Sequence, residues 1–213
     1  MVVEVKICGL TRDEDAAAAS AAGASYLGVV FAGGPRTLDP ARAAGIVAAA
    51  NRRPVFGVFG AQPVEAILRI RDACGLAGAQ LHGEYGAADA LRLRREGLVV
   101  WTVARLEDEG DLARLPSAAD VADAVLVEPR VGHAPGGAGV ALPLALARKA
   151  RERVRGRLVL AGGLRPETVA AVVGLVRPDV VDVSSGVEIL PGIKDSRKIE
   201  QFVEAVRGLS PVA

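Results

Sequence analysis

An all-parallel eight-stranded barrel wrapped by helices, the (β/α)8 or TIM barrel, is what three features of the sequence predict. Short runs rich in Val alternate with Ala-rich or Arg-rich amphipathic runs, and eight such pairs follow one another along the chain. The Val-rich runs are continuous rather than strictly alternating, as parallel strands buried on both faces should be. No linker, low-complexity segment or shift of composition divides the chain, so a single domain is expected over residues 1–213. The alternative is a doubly wound open sheet. It usually has fewer strands and a clear switch point, and no G-x-G-x-x-G follows the first strand.

The first unit sets the pattern. Val3, Val5 and Ile7 alternate with Glu4 and Lys6 as a short strand, and Gly9 then releases the backbone into a turn. Thr11, with Asp13 and Glu14 after it, reads as a capping hydroxyl opening a helix over 13–22. Strands are then expected at 26–31, 54–59 and 78–81, each followed by a helix, at 39–50, 63–74 and 87–96. Pro40 suits a first helical turn. The second half repeats the alternation with strands at 99–103, 124–127, 158–160 and 180–183, and helices at 108–115, 143–155, 166–176 and 196–207. Cys74 lies inside an amphipathic helix and reads as packing.

Composition narrows the function. Lys and Arg number 26 against 25 Asp and Glu, which gives no basic bias towards nucleic acid, so any anion site must be local. Two cysteines are too few for a disulfide framework and the first residues enter a strand pattern without a signal peptide, so the cytoplasm is expected. No apolar run approaches the roughly 20 residues a bilayer needs. The two histidines, His82 and His133, stand without Cys or Asp at ligand spacing, so no bound metal is expected.

Two places carry candidate chemistry. Cys8 falls where the first strand ends and a helix is about to begin, the end at which parallel α/β folds bind ligands. From this stretch alone it reads equally as a small buried hydrophobe. Gly162-Gly163 and Ser184-Ser185-Gly186 follow strands seven and eight, where barrels commonly hold a phosphate. Small residues let backbone N–H groups approach the oxygens and the serines add donors, so a phosphate monoester is expected without a lysine. One glycine pair would pass as an ordinary turn; two adjacent loops of this chemistry argue for more.

These stretches together resemble a known family. Lys6-Ile7-Cys8-Gly9-Leu10-Thr11, Gly57-Val58-Phe59, Gln80-Leu81-His82-Gly83, Gly136-Gly137-Ala138-Gly139, Leu160-Ala161-Gly162-Gly163-Leu164, Asp182-Val183-Ser184-Ser185-Gly186-Val187-Glu188 and Gly192-Ile193-Lys194-Asp195 are similar, in order and spacing, to phosphoribosylanthranilate isomerases. The resemblance implies an Amadori rearrangement of a phosphosugar–anthranilate substrate in tryptophan biosynthesis, with no cofactor and no metal. It implies Cys8 as the base, with a thiol pKa lowered or its proton lost on substrate binding. Arg36 matches the arginine that pairs with the anthranilate carboxylate, a task for a planar fork. Asp182 would line the pocket and hold a sugar hydroxyl. His82 reads either as pocket lining or as a histidine satisfied by hydrogen bonds. Relatives occur as monomers and homodimers.

The sequence also departs from the family. After strand six the usual general-acid aspartate is replaced by Glu128, one methylene longer, and a catalytic group misplaced by about 1 Å can cost on the order of a hundredfold. A non-catalytic or weakly active phosphosugar-binding paralogue is therefore the competing reading. Ala138 and Leu142-Pro143-Leu144 replace a usual hydroxyl and a helix cap, while the glycines of that loop fit a lid over substrate. Asp123 is not a substitute acid, because it falls at the other end of the strand.

Overall fold

The computed structural model describes residues 2–115, 121–131 and 139–208. Eight parallel strands close into a barrel in chain order: β1 (Glu4–Ile7), β2 (Tyr26–Val30), β3 (Val55–Phe59), β4 (Gly78–Leu81), β5 (Val99–Leu106), β6 (Ala124–Pro129), β7 (Leu158–Leu160) and β8 (Val180–Val183). The helices are α1 (Asp13–Ala22), α2 (Pro40–Ala49), α3 (Val64–Cys74), α4 (Ala87–Arg95), α5 (Leu144–Arg153), α6 (Pro166–Val176) and α7 (Ser196–Arg207). Closure is made by β1 against β8, with Lys6 opposite Asp182 and Ile7 opposite Val183. Among the described residues no helix is long and apolar enough to cross a membrane.

Elements fall where the apolar patterning places them, with four differences that have local causes. The fifth helical segment is a 3-10 turn over Glu109–Arg114 rather than an α-helix. Asp108 accepts from the Gly110 N–H at 2.7 Å and Asp111 from the Glu107 N–H at 2.8 Å, so side chains take up backbone donors, and a glycine weakens the helix further. Thr11 does not cap α1: Arg12 is the N-cap, without a side-chain bond, and the Thr11 hydroxyl donates instead to the Gly192 carbonyl at 2.5 Å. Strands β5 and β6 run further than the apolar runs, to Leu106 and Pro129, because they pair with each other along their whole length. Finally, β9 (Glu188–Leu190) and β10 (Ile193–Lys194) form an antiparallel hairpin between β8 and α7 where only a loop is expected.

The core has two compartments. Between barrel and helices lies a cluster that includes Ile7, Leu27, Ile46, Ile67 and Phe202, all fully buried. Cys74 belongs to it and donates its Sγ–H to the Pro40 carbonyl at 3.2 Å, so the reading of this residue as packing holds. Inside the barrel the lower half is filled by Phe56, Trp101, Ala124, Leu126, Val159 and Val180, with Tyr26 packed against them. Phe56 and Trp101 lie 4.4 Å apart between ring centroids, and Tyr26 meets both edge-on. This aromatic plug is the floor on which the polar layer rests.

Removing the plug should be costly and easy to follow. Phe56→Ala is expected to lower stability by about 3–5 kcal/mol, measured by urea unfolding with the single tryptophan, Trp101, as the fluorescent reporter. A loss below about 1 kcal/mol would show that the barrel interior collapses to fill the gap.

Candidate active site

Alternation along the strands aims every second side chain inward, and above the aromatic plug Lys6, Gln80, His82, Glu128 and Asp182 form a polar layer beside Val30, Val58 and Ala161. They surround a cleft at the C-terminal ends of the strands, with about 770 Å³ of empty space when the solvent at its open mouth is counted. Cys8, Arg36, His82, Glu128, Asp182, Gly162, Gly163, Ser184, Ser185 and Gly186 all line it. Every candidate residue from the sequence is therefore brought to one place.

Cys8 stands one pleat above Lys6, which the sequence reading passed over. Lys6 is fully buried, and its ammonium donates to Asp182 Oδ2 and Gln80 Oε1, both at 2.9 Å, 5.7 Å from the centre of the Trp101 ring. A charged residue on the inward face of a strand, two positions before the cysteine, was the available signal. Gly28 leaves the space: a Cβ there would meet Cys8 Sγ at 2.9 Å and Lys6 Nζ at 3.1 Å. Burial pulls the Lys6 ammonium down, but Asp182 and Cys8 beside it reverse the effect and hold it above the ordinary lysine value. Of the two expectations for Cys8, a lowered pKa or a proton lost on substrate binding, the structure does not provide the first. Burial pushes the thiol above its ordinary value, and the opposing pull of Lys6 and Lys194 does not overcome it. Asp182 keeps one oxygen, Oδ1, buried without a hydrogen-bond partner among the described residues.

Glu128 is part of β6 and only 6% exposed. Its longer side chain reaches His82, whose Nε2 lies 2.6 Å from Oε1, while Arg105 Nε stands 3.7 Å away. Which of the two donates in this hydrogen bond depends on the histidine tautomer. Both alternatives for His82 thus coincide: it lines the cavity and it is satisfied. Asp123 lies at the opposite end of β6, bound to the Val100 N–H at 2.7 Å, as expected.

Arg36 reaches the cavity from the loop after β2, its stem lying across Gly9. Gly9 has φ +71, and a Cβ there would come within 2.5 Å of Arg36 Cδ. The guanidinium is already engaged: Nε donates to Glu188 Oε1 at 2.8 Å and Nη2 to Oε2 at 2.6 Å. Lys194 Nζ, also buried, donates to Glu188 Oε1 at 2.8 Å and to the Ser184 carbonyl at 3.1 Å. Glu188 and Lys194 sit in motifs quoted from the sequence, but no local signal links them to an arginine some 150 positions away. Burial would raise the Glu188 carboxyl; Arg36 and Lys194 outweigh it and hold the group below the usual glutamate value.

On the opposite wall, Gly162 and Gly163 take left-handed φ values of +94 and +63, conformations that suit glycine. Ser185 opens a 3-10 turn, Ser185–Val187, facing them. Among the described residues neither glycine N–H donates to a backbone carbonyl. Of the glycine-rich stretch 136–139, read from the sequence as part of a lid, residues 136–138 lie outside the described residues, as does His133.

A closed barrel with a thiol, a carboxyl and small-residue loops gathered at the C-terminal rim is the arrangement of a (β/α)8 barrel enzyme. The family model described as "N-(5'phosphoribosyl)anthranilate (PRA) isomerase" matches residues 5–205, and the chain belongs to that family. It is 38% identical over 211 residues to the N-(5'-phosphoribosyl)anthranilate isomerase of Pelobacter propionicus, covering 97% of this chain and 96% of the relative. The crystal structure of phosphoribosyl anthranilate isomerase from Thermotoga maritima superimposes with a TM-score of 0.87 at 34% identity, covering 98% of this chain and all of the other. That Thermotoga protein is described as dimeric, and monomers of it have been generated. A similar structure, TM-score 0.83 at 34% identity over 98% of this chain and all of the other, holds reduced 1-(o-carboxyphenylamino)-1-deoxyribulose 5-phosphate.

Two pH-dependent outcomes follow from these environments. Alkylation of Cys8 by iodoacetamide, read by peptide mass, should be slow at neutral pH and rise only above the ordinary thiol value of 9.0; a midpoint below that value would contradict the burial effect. Because the fold favours the ionised form of Glu188, its contribution is present above the unfolded value of 4.5 and is lost as pH falls through the lower folded value. Glu188→Gln should flatten the loss of stability between about pH 6 and pH 3 in urea titrations.

Proposed function

We propose that this chain converts the aminoaldose N-(5-phosphoribosyl)anthranilate into the aminoketose 1-(2-carboxyphenylamino)-1-deoxyribulose 5-phosphate in tryptophan biosynthesis. The observation that carries the proposal is the convergence of Cys8 and Glu128 on one cavity, from strands on different walls, in a member of this family. Protonated Glu128 gives its proton to the ring oxygen, the C1–O bond breaks, and an iminium remains at C1. The Cys8 thiolate withdraws the proton on C2; the electrons of that C–H bond form a C1–C2 double bond while the iminium π pair moves onto nitrogen, giving an enolamine. Protonation at C1 and loss of the C2 hydroxyl proton leave the ketone. The steps move protons and electron pairs within the substrate, so no cofactor is consumed.

Cys8 starts as a thiol, so its proton must leave as substrate enters, and Lys6 is placed to hold the thiolate that results. His82 orients the Glu128 carboxyl, which supports catalysis by the longer side chain and leaves nothing in the geometry that favours the non-catalytic paralogue. Arg36 receives the anthranilate carboxylate, and Asp182 Oδ1 accepts from a sugar hydroxyl. The phosphate rests on the backbone of Gly162, Gly163, Ser185 and Gly186, with the Ser184 hydroxyl near by. We read 1–213 as a single barrel domain, supported by closure between the first and last barrel strands. The enzyme acts in the cytoplasm as a monomer or homodimer, with no nucleic-acid or membrane partner.

Turnover of freshly made phosphoribosylanthranilate, followed by anthranilate fluorescence, tests the assignment. Wild type should consume it, and Cys8→Ala and Glu128→Gln should each lose on the order of 10²–10⁴ in kcat. Glu128→Asp breaks the 2.6 Å contact to His82 and should cost on the order of a hundredfold. Wild-type protein that leaves the substrate to its spontaneous decay would refute the activity.

A further inference from the structure

The cluster formed by Arg36, Glu188 and Lys194 is larger than a carboxylate-binding arginine requires. A guanidinium offers two bidentate edges, and Glu188 takes the one made by Nε and Nη2. Among the described residues Nη1 has no hydrogen-bond partner, and Arg36 lines the cavity, which leaves the edge made by Nη1 and Nη2 for a ligand. Glu188 is itself fixed: its Oε1 also accepts from Lys194 Nζ at 2.8 Å and from the Gly192 N–H at 3.2 Å. Gly192 is pinned in turn by the Thr11 hydroxyl, which ties the hairpin to the loop that carries Cys8. All three charged side chains are largely withdrawn from solvent, at 11%, 5% and 0% exposure for Arg36, Glu188 and Lys194.

Charge balance points the same way. Two cations share one carboxylate, so the cluster keeps a net positive charge beside the cavity. Burial pulls the Lys194 ammonium below its ordinary value even with Glu188 beside it, and Arg36 adds to the pull. An arginine on a loop without Glu188 would sample many rotamers and bind any anion; one held along an edge presents a single fork in a single plane.

We infer that Glu188, braced by Lys194 and the hairpin turn, is a positioning residue that fixes Arg36 so that its remaining edge selects ligands carrying an aryl carboxylate. The inference rests on the isomerase reading of the site, and it assigns the specificity to the β9–β10 hairpin, which contributes no group to the reacting carbons.

The test compares two ligands: reduced 1-(o-carboxyphenylamino)-1-deoxyribulose 5-phosphate and the same molecule with a plain phenyl ring. Dissociation constants are measured for wild type, Glu188→Gln and Arg36→Met, with thermal melts confirming that each variant is folded. Wild type should prefer the carboxylated ligand, and Glu188→Gln should lose roughly tenfold or more of that preference while binding the phenyl ligand as before. Equal weakening towards both ligands would make Glu188 merely structural and overturn the inference. If Arg36→Met loses the preference and Glu188→Gln keeps it, the inference fails while the isomerase reading stands. A wild type without preference defeats both. Should Glu188→Gln not fold, Lys194→Met takes its place with the same expected loss of preference.

Discussion

The ion pair across the seam where β1 meets β8 is the constraint on which the site depends. Lys6 and Asp182 are register partners, so closing the barrel sets an ammonium against a carboxylate above a floor of aromatic rings. A lone buried charge at that depth would be ruinous, and removing one partner of such a pair typically costs about 3–5 kcal/mol. Held together, and with Gln80 as a third member, the two charges form a polar layer that Cys8 can share. Burial holds the Cys8 thiol above its ordinary pKa, and the Lys6 ammonium stands beside it with the opposing pull.

Above that layer the two walls of the cavity divide the work. On the β4–β6 side His82, Glu128 and Arg105 are grouped, the wall we propose as the proton donor, and on the β7–β8 side lie the small residues we propose as the phosphate cradle. The hairpin after β8 supplies Glu188 and Lys194 to the region of Arg36. Loops following the strands carry the recognition groups, while the strands hold Cys8's neighbours and Glu128 rigidly. Such a division lets specificity change without disturbing the reacting groups.

Much of this was legible in the chain, for reasons that particular residues make plain. The strands at 78–81, 158–160 and 180–183 and the helices at 13–22, 166–176 and 196–207 have the predicted bounds; the signal is clearest in the continuous apolar runs at 158–160 and 180–183 and in the amphipathic spacing at 196–207. The fifth helix was misread because Asp108 and Asp111 spend backbone donors on side chains, a competition that apolar periodicity does not register. Thr11 looked like a cap; its hydroxyl is taken by Gly192, a residue distant in sequence. At Glu128 one added methylene suggests misplacement, whereas His82, on the same β4–β6 side of the cavity, meets the carboxyl at 2.6 Å.

The sequence by itself determined the barrel, the end of it that holds the chemistry, and the residues that line the cavity, since alternation and the order of strands and loops are local properties. It did not determine which charges neutralise which. That Lys6 pairs with Asp182, that Arg36 is gripped by Glu188, and that Cys8 is held as a thiol were decided by tertiary structure. Each depends on burial and on contacts between segments up to 176 positions apart, and electrostatic energy follows distance in space and the surrounding dielectric rather than position along the chain.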